Sequence, residues 1–326
     1  MRDLSRRTFL AGSTAFAAGA PFASFAADAW PNRAIRFVVP FAPGGSSEII
    51  ARSTAAELSK TIGQNVFVDN KPGASGNIAM AEVARADDQH TLILGHIGTL
   101  AVNPYMYAKI PYDANKDFKP VSLLAKVPSL YVVHPSVPAK DLKEFVALAK
   151  SKPGRLNYGS AGTGSAGHLA MEYLKMATGM FILHIPYKGT GPQLTDLLSG
   201  RLEAASVGAS AILPHIKAGK LRCIATGSAQ RLPQLPDVPT VAEQGYPGFE
   251  MTQWYGMLAP ANLAPANLDK LAAETAKAMK SKDVVDRLHQ DAAQPVGGTP
   301  QQFAQFIASE QKRWKEVVER ARIKPE

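Results

Sequence analysis

Two stretches of this chain share one pattern: an apolar strand, a glycine-rich loop carrying hydroxyls, then an amphipathic helix. In the first, Ile35–Pro40 runs into Phe41-Ala42-Pro43-Gly44-Gly45-Ser46-Ser47-Glu48. In the second, Leu156-Asn157-Tyr158 runs into Gly159-Ser160-Ala161-Gly162-Thr163-Gly164-Ser165. Glycine has no Cβ to keep a ligand away from backbone N–H groups. A helix that follows aims its unpaired N–H groups and the positive end of its dipole at the same point. Two such loops, one on each of two lobes, would make a clamp for a small anion.

Other chemistries have weaker support. Gly162-Thr163-Gly164-Ser165-Ala166-Gly167 fits G-x-G-x-x-G, so an exported NAD(P)-dependent oxidoreductase is the alternative reading. That fingerprint needs an acid about 20 residues further on for the ribose hydroxyls. Phe181-Ile182-Leu183-His184-Ile185 stands there instead, and no acid lies between Glu172 and Asp196. No serine sits in a G-x-S-x-G elbow. The seven histidines are isolated, without metal-ligand spacing. The residues therefore nominate no catalytic group, metal or cofactor. His168 opens the helix after the second loop and reads as a residue that fixes that loop. Lys71 and Lys188 are the basic residues nearest the clamp, and each reads as a solvated loop lysine. Tyr187 and Trp254 are candidate aromatic contacts; for Trp254 a place in the hinge or core is an equal alternative.

The elements that must carry these loops alternate. Short β-branched runs give way to helical patterns, the signature of parallel α/β layers. After the first loop, Ile49, Ile50, Ala55, Leu58 and Ile62 recur at helical spacing, and Gly63 follows as a stop. Val66-Phe67-Val68 and Thr91-Leu92-Ile93-Leu94 are strands. Leu123–Val133 is a long crossing segment that Pro128 is expected to break. Asp141 with Glu144 starts the next helix in the manner of a capping box. A second α/β set then runs from Leu156, and Trp254-Tyr255-Gly256-Met257-Leu258 is a second crossing candidate. In the last helix Thr299 caps, Pro300 takes the first turn and Gln302 completes the box. Phe303, Phe306, Ile307, Trp314, Val317 and Val318 make its apolar stripe. Two crossings imply a discontinuous first lobe, residues 27–128 with 258–326, and a continuous second lobe, residues 129–257. The ligand then belongs in the crevice at the carboxyl ends of the strands.

The N-terminus reads as an export signal over residues 1–26. Ser5-Arg6-Arg7-Thr8-Phe9-Leu10 matches the twin-arginine pattern, and a weakly apolar Ala/Gly/Ser stretch follows. Ser24-Phe25-Ala26 offers small residues for cleavage after Ala26, so the expected location is the periplasm. Losing residues 1–26 removes three arginines and one aspartate and lowers the formal charge from +9 to +7. The remaining basic residues are scattered, without the aromatic-basic interleaving of a nucleic-acid surface. Cys223 is the one cysteine, which excludes an intrachain disulfide, and its strand context reads as buried core. With 326 residues and 46% hydrophobic composition, two domains with real cores are within reach.

At these positions the sequence resembles the substrate-binding receptors of tripartite tricarboxylate transporters, the Bug-type receptors. The matching stretches cover nearly the whole chain after residue 26. They include Ile35–Phe41 with Pro43-Gly44-Gly45, Asn70-Lys71-Pro72-Gly73-Ala74, and Tyr158-Gly159-Ser160 with Gly162–Ser165 and His168-Leu169. Pro186–Gly189, Pro214-His215-Ile216, Leu235–Thr240 and Trp254 continue the series. The resemblance implies a two-lobed periplasmic-binding-protein fold, type II-like, with two doubly wound lobes joined by crossing segments. It implies a small carboxylate ligand, no catalytic residues, membrane transporter subunits as partners, and a monomer. By position, Phe41, Ala42, Gly44, Gly45 and Ser46 would serve the ligand from the first lobe. Ser160, Thr163, Gly164, Ser165 and Tyr187 would serve it from the second, with Trp254 at the crossing. The sequence departs from the family pattern at Glu48, where aspartate is usual, and near Glu203 and Ser206, where an Asp and a Phe are usual.

Overall fold

The computed structural model describes residues 30–321, 323 and 324. The expected export signal, residues 1–26 with its cleavage point, lies outside them.

The first half of the chain forms β1 (Ile35–Val39), α1 (Ser46–Ile62), β2 (Val66–Asn70), α2 (Asn77–Ala84) and β3 (Thr91–His96). A π-helical turn, Gly98–Val102, and α3 (Asn103–Met106) lead to the long β4 (Phe118–Val133). Then come α4 (Leu142–Ser151), β5 (Asn157–Ser160), α5 (Ala166–Thr178), β6 (Leu183–Pro186) and α6 (Thr190–Leu198). β7 (Ala204–Gly208), α7 (Ala209–Lys217) and β8 (Arg222–Thr226) complete that set. The chain returns through β9 (Thr252–Pro260) to α8 (Pro265–Ala278), α9 (Lys282–Gln290), β10 (Gln294–Pro295) and α10 (Pro300–Ala321).

These strands build two sheets of one design. The first runs β2-β1-β3-β9-β4-β10, with β1 parallel to β2 and β3, and β9 antiparallel to both neighbours. The second runs β6-β5-β7-β4-β8, with β5 parallel to β6 and β7, and β4 antiparallel to both neighbours. Each lobe therefore inserts one antiparallel crossing strand beside its third parallel strand. β4 belongs to both sheets. Residues Phe118–Pro128 pair with β9, and residues from Ser129 onward pair with β7 and β8.

Pro128 therefore does not break the crossing segment. It sits where β4 leaves one ladder and enters the other, a position that tolerates a residue without an N–H. β9 pairs in the first sheet from Thr252, opposite Pro128, so the return strand contains the crossing candidate Trp254–Leu258 and extends beyond it at both ends. The continuous apolar run of β1 has the expected cause. Ile35, Phe37 and Val39 feed one core and Val38 the other, and all are fully buried.

Local signals hold at the helix ends. Gly63 stops α1 with φ of 79°. At α4, Asp141 Oδ1 accepts from Glu144 N at 2.8 Å, while the Glu144 carboxylate reaches Lys140 N, one residue short of a reciprocal box. At α10 the box is complete: Gln302 N donates to Thr299 Oγ1 at 3.2 Å and Thr299 N to Gln302 Oε1 at 2.9 Å. Phe303, Ile307, Trp314 and Val318 are buried along its stripe. Each such side chain stabilises the fold by roughly 1.5–3 kcal/mol. Cys223 is half-buried on β8 rather than a core residue.

Candidate functional site

The carboxyl ends of β1, β3, β5 and β7 point toward the seam between the lobes, and the loops they carry enclose a cavity of about 30 Å3. Phe41, Ser46, Ser47, His96, Gln253 and Tyr255 line it from the first lobe and crossing strand. Ala161, Ser165, Ala166, Gly167, Thr190, Gln193, Ser206, Val207 and Gly208 line it from the second. None of these is an acid, a lysine or an arginine. Four helices begin at its wall: α1 at Ser46, α5 at Ala166, α6 at Thr190 and α7 just after Gly208. The N–H groups of Ser46, Ser47, Ala166 and Gly167 meet no acceptor among the described residues. Such first-turn donors carry the positive end of the helix dipole. Ser206 Oγ is buried in the same wall without a partner among the described residues.

The second loop is wired within its own lobe. Ser160 Oγ accepts from Gly162 N at 3.1 Å and lies 2.6 Å from His184 Nε2. Gly164 N donates to His168 Nδ1 at 3.0 Å, and Ser165 Oγ caps α5 by accepting from His168 N at 3.4 Å. His168 stacks on His184 at 4.1 Å, and His184 on Tyr158 at 4.9 Å. Burial, with His184 and Lys175 nearby, pulls the His168 pKa down to about 3. The ring is therefore neutral, and its bare Nδ1 can accept from the loop. Gly162 takes φ of 122°, and a Cβ there would come 2.9 Å from Tyr187 O.

The first loop is held differently. Gly44 N donates to Glu48 Oε2 at 2.7 Å, and Arg52 Nε holds Glu48 Oε1 at 2.8 Å. Ala42 N reaches across the seam to Lys188 O at 3.3 Å. Gly44 faces Gly191 so closely that a Cβ on Gly44 would stand 3.1 Å from Gly191 Cα. The lobes are thus in contact, and glycines on both sides allow it.

Beyond this geometry, the whole chain has recognisable relatives. Residues 50–323 match the tripartite tricarboxylate transporter family receptor. The chain belongs to that family. It is similar to protein BugT of Bordetella pertussis, at 39% identity over 91% of each chain. It is also similar to an R. palustris protein solved with adipate, at 37% identity, 91% of this chain, 100% of that chain and a TM-score of 0.88. MatC from Rhodopseudomonas palustris, solved with bound malate, follows at 35% identity, 89% and 100% coverage and a TM-score of 0.85. Its fold is the two-lobed periplasmic-binding-protein fold, the class expected from sequence.

In this receptor a second, larger space adjoins the first. A cavity of about 260 Å3 opens outward and shares Phe41 and Ala161 with the inner one. Gly73–Gly76, Tyr107, Gly162, Thr163, Tyr187 and Lys188 complete its wall. Lys188 is exposed and is the charged residue of that wall, whereas Lys71 is bonded to Glu82. The Tyr187 hydroxyl donates to Asp196 at 2.7 Å, and burial together with that carboxylate pushes its pKa up to about 12.

The candidate residues therefore separate. Phe41, Ser46 and Ser165 reach the inner cavity, and Thr163 and Tyr187 the outer one. Gly45 caps α1 behind the inner wall. Four others do something else. Ala42 spans the seam and the Gly44 amide is taken by Glu48, so both serve the closed shape. Ser160 and Gly164 spend their polar groups on His184, Gly162 and His168. Trp254 takes the core place that the sequence left open: its indole N–H donates to Glu310 Oε2 at 2.7 Å and its ring meets Phe306 edge-on at 5.2 Å. It is 2% exposed and lines neither cavity, because side chains alternate along β9 and its neighbours Gln253 and Tyr255 take the cavity face.

His96, Thr190, Gln193, Gln253 and Tyr255 were missed. For His96 a signal existed, since Gly95-His96-Ile97-Gly98-Thr99 is a third strand-to-glycine junction. The others needed the folded seam.

Proposed function

We propose that this receptor closes on a small organic carboxylate in the periplasm and presents it to membrane subunits of a tripartite tricarboxylate-type transporter. The observation that carries the reading is the inner cavity, uncharged and flanked by the starts of α1 and α5 from opposite lobes. Each helix start adds about 0.3–2 kcal/mol to anion binding, more when water is excluded. Together with several hydrogen bonds this supports a dissociation constant near the micromolar range, about −8 kcal/mol. Adipate and malate, the ligands of the two R. palustris structures, share the group such a cavity would take.

Thr163 and Ser165 form the second-lobe jaw in this reading, held in shape by Ser160 and Gly164, with Phe41, Gly45 and Ser46 opposite. Export as a folded chain through the twin-arginine signal fits a receptor that works outside the cytoplasm. The protein acts as a monomer and binds rather than converts its solute. The NAD(P) reading is not favoured: neither cavity wall carries an acid for the ribose hydroxyls. His184, where a ribose-binding acid is needed, is committed to Ser160.

A thermal-shift screen of mono-, di- and tricarboxylates tests this. A cognate acid at about 100 times its dissociation constant raises stability by roughly 2.7 kcal/mol, several degrees in Tm. Failure of every carboxylate, adipate and malate included, combined with a shift from NADP, would overturn the proposal.

A further inference from the structure

His96 stands at the carboxyl end of β3, 1% exposed, with its ring 4.7 Å from that of Phe41. Its Nδ1 accepts from Gly98 N at 2.8 Å, so that nitrogen carries no proton. Burial draws the pKa down to about 3, which leaves the ring neutral. The one ring proton must therefore be on Nε2. That nitrogen is buried, has no partner among the described residues, and belongs to a ring in the wall of the inner cavity. A buried N–H without an acceptor is costly, which is why such groups are nearly always paired.

We infer that His96 is a ligand-contacting residue of this receptor: its Nε2–H donates to a carboxylate oxygen in the inner cavity, as a neutral imidazole. This deepens the proposed function and rests on it. The surroundings fit an uncharged donor. Tyr255 on β9 lies opposite His96 in register, and its phenol is held above its ordinary pKa by burial. Phe41 and Ser46 from the first lobe, and Ser165 and Ser206 from the second, carry no charge. A donor fixed at Nδ1 by the main chain and against Phe41 by its ring needs no reorganisation when the anion arrives. It also discriminates. An oxygen acceptor satisfies Nε2–H, whereas an amide or amine nitrogen in that position would leave two donors facing each other. The inner cavity should therefore favour a ligand that turns an oxygen, rather than an ammonium group, toward Nε2.

The test compares two substitutions by calorimetry with adipate and malate as probes. His96→Asn keeps an acceptor for Gly98 N but withdraws the donor from the cavity. His96→Gln places an amide N–H near the Nε2 position. The expected result is a ~10- to 100-fold weaker affinity in His96→Asn, the range for a hydrogen bond to a charged group. His96→Gln should stay within about threefold of the parent, with the melting temperatures of both variants recorded. Parent affinity should also be level from about pH 6.5 to 8.5, where the probe carboxyls stay ionised. Parental affinity in both variants, equal loss in both, or a roughly tenfold fall per pH unit would each overturn the inference. If the parent protein itself binds no carboxylate, the failure belongs to the proposed function instead.

Discussion

The two glycine-rich loops read alike in sequence and are built unlike in three dimensions. The second loop is fastened inside its lobe by buried side chains: Ser160 and His168 hold the amides of Gly162 and Gly164, and half-buried His184 holds Ser160. The first is fastened by a partly buried acid, Glu48, and by Ala42 reaching to the other lobe. One jaw is therefore finished before the lobes meet, and the other is completed by their meeting. The lesson is that a strand–glycine–helix pattern locates an anion site without saying which amides remain free for the anion. Side chains several residues downstream decide that.

Substituting the glycines separates the jaws most strongly. Gly162→Val forces a φ of 122° on a branched residue and pushes its Cβ against Tyr187 O. Carboxylate binding should fall by ~100-fold or more, with circular dichroism largely unchanged. Gly44→Val, with φ of 97°, faces solvent on one side and Gly191 only across the closed seam. Its loss should be clearly smaller in the same titration, and equal losses would break the contrast.

Acid strains both jaws. His168 and His96 each have pKa values pulled down to about 3 in the folded protein, against about 6.5 unfolded. The unfolded chain therefore binds more protons between those values, so stability is full above pH 6.5 and declines as pH falls. At pH 5 the loss is about 2 kcal/mol for each histidine. Urea unfolding at pH 7 and pH 5 should register it, and His96→Asn should remove close to half of these histidines' contribution to the difference.

The next contrast is between fasteners. Ser160→Ala leaves the Gly162 amide and His184 without their shared oxygen in a buried setting, a cost of about 1–3 kcal/mol. Glu48→Ala frees only groups that water can reach, the Gly44 amide and Arg52, and should cost less than ~1 kcal/mol. Chemical denaturation of the two variants side by side would sharpen or erase the ranking. Smallest of all is Lys188→Ala in the outer wall. Affinity for adipate should change by no more than about threefold, and the difference should shrink as salt is raised.

Much of this could be read from the chain alone. Alternating apolar runs and helical stripes specified two α/β lobes, because parallel strands buried on both faces need continuous hydrophobic sequence, as Ile35–Val39 shows. Thr299 with Gln302 specified a helix start, since the bonds involved span three residues. The position of Pro128 misled, because a proline that ends a strand and one that marks a strand changing sheets look identical in sequence. Trp254 stayed undecided for a related reason. Being on the crossing strand is a property of the segment, but which face its ring takes depends on a register set by the partner strand.

Glycines at strand ends and the helices behind them were thus settled locally, through backbone freedom and hydrogen bonds spanning a few residues. Which polar groups face one another at the seam was settled only when β3, β9, the start of α5 and β7 brought His96, Gln253, Ser165 and Ser206 to the same small space. Those residues lie far apart along the chain. Burial then removes the water that would otherwise satisfy them, and only packing creates burial.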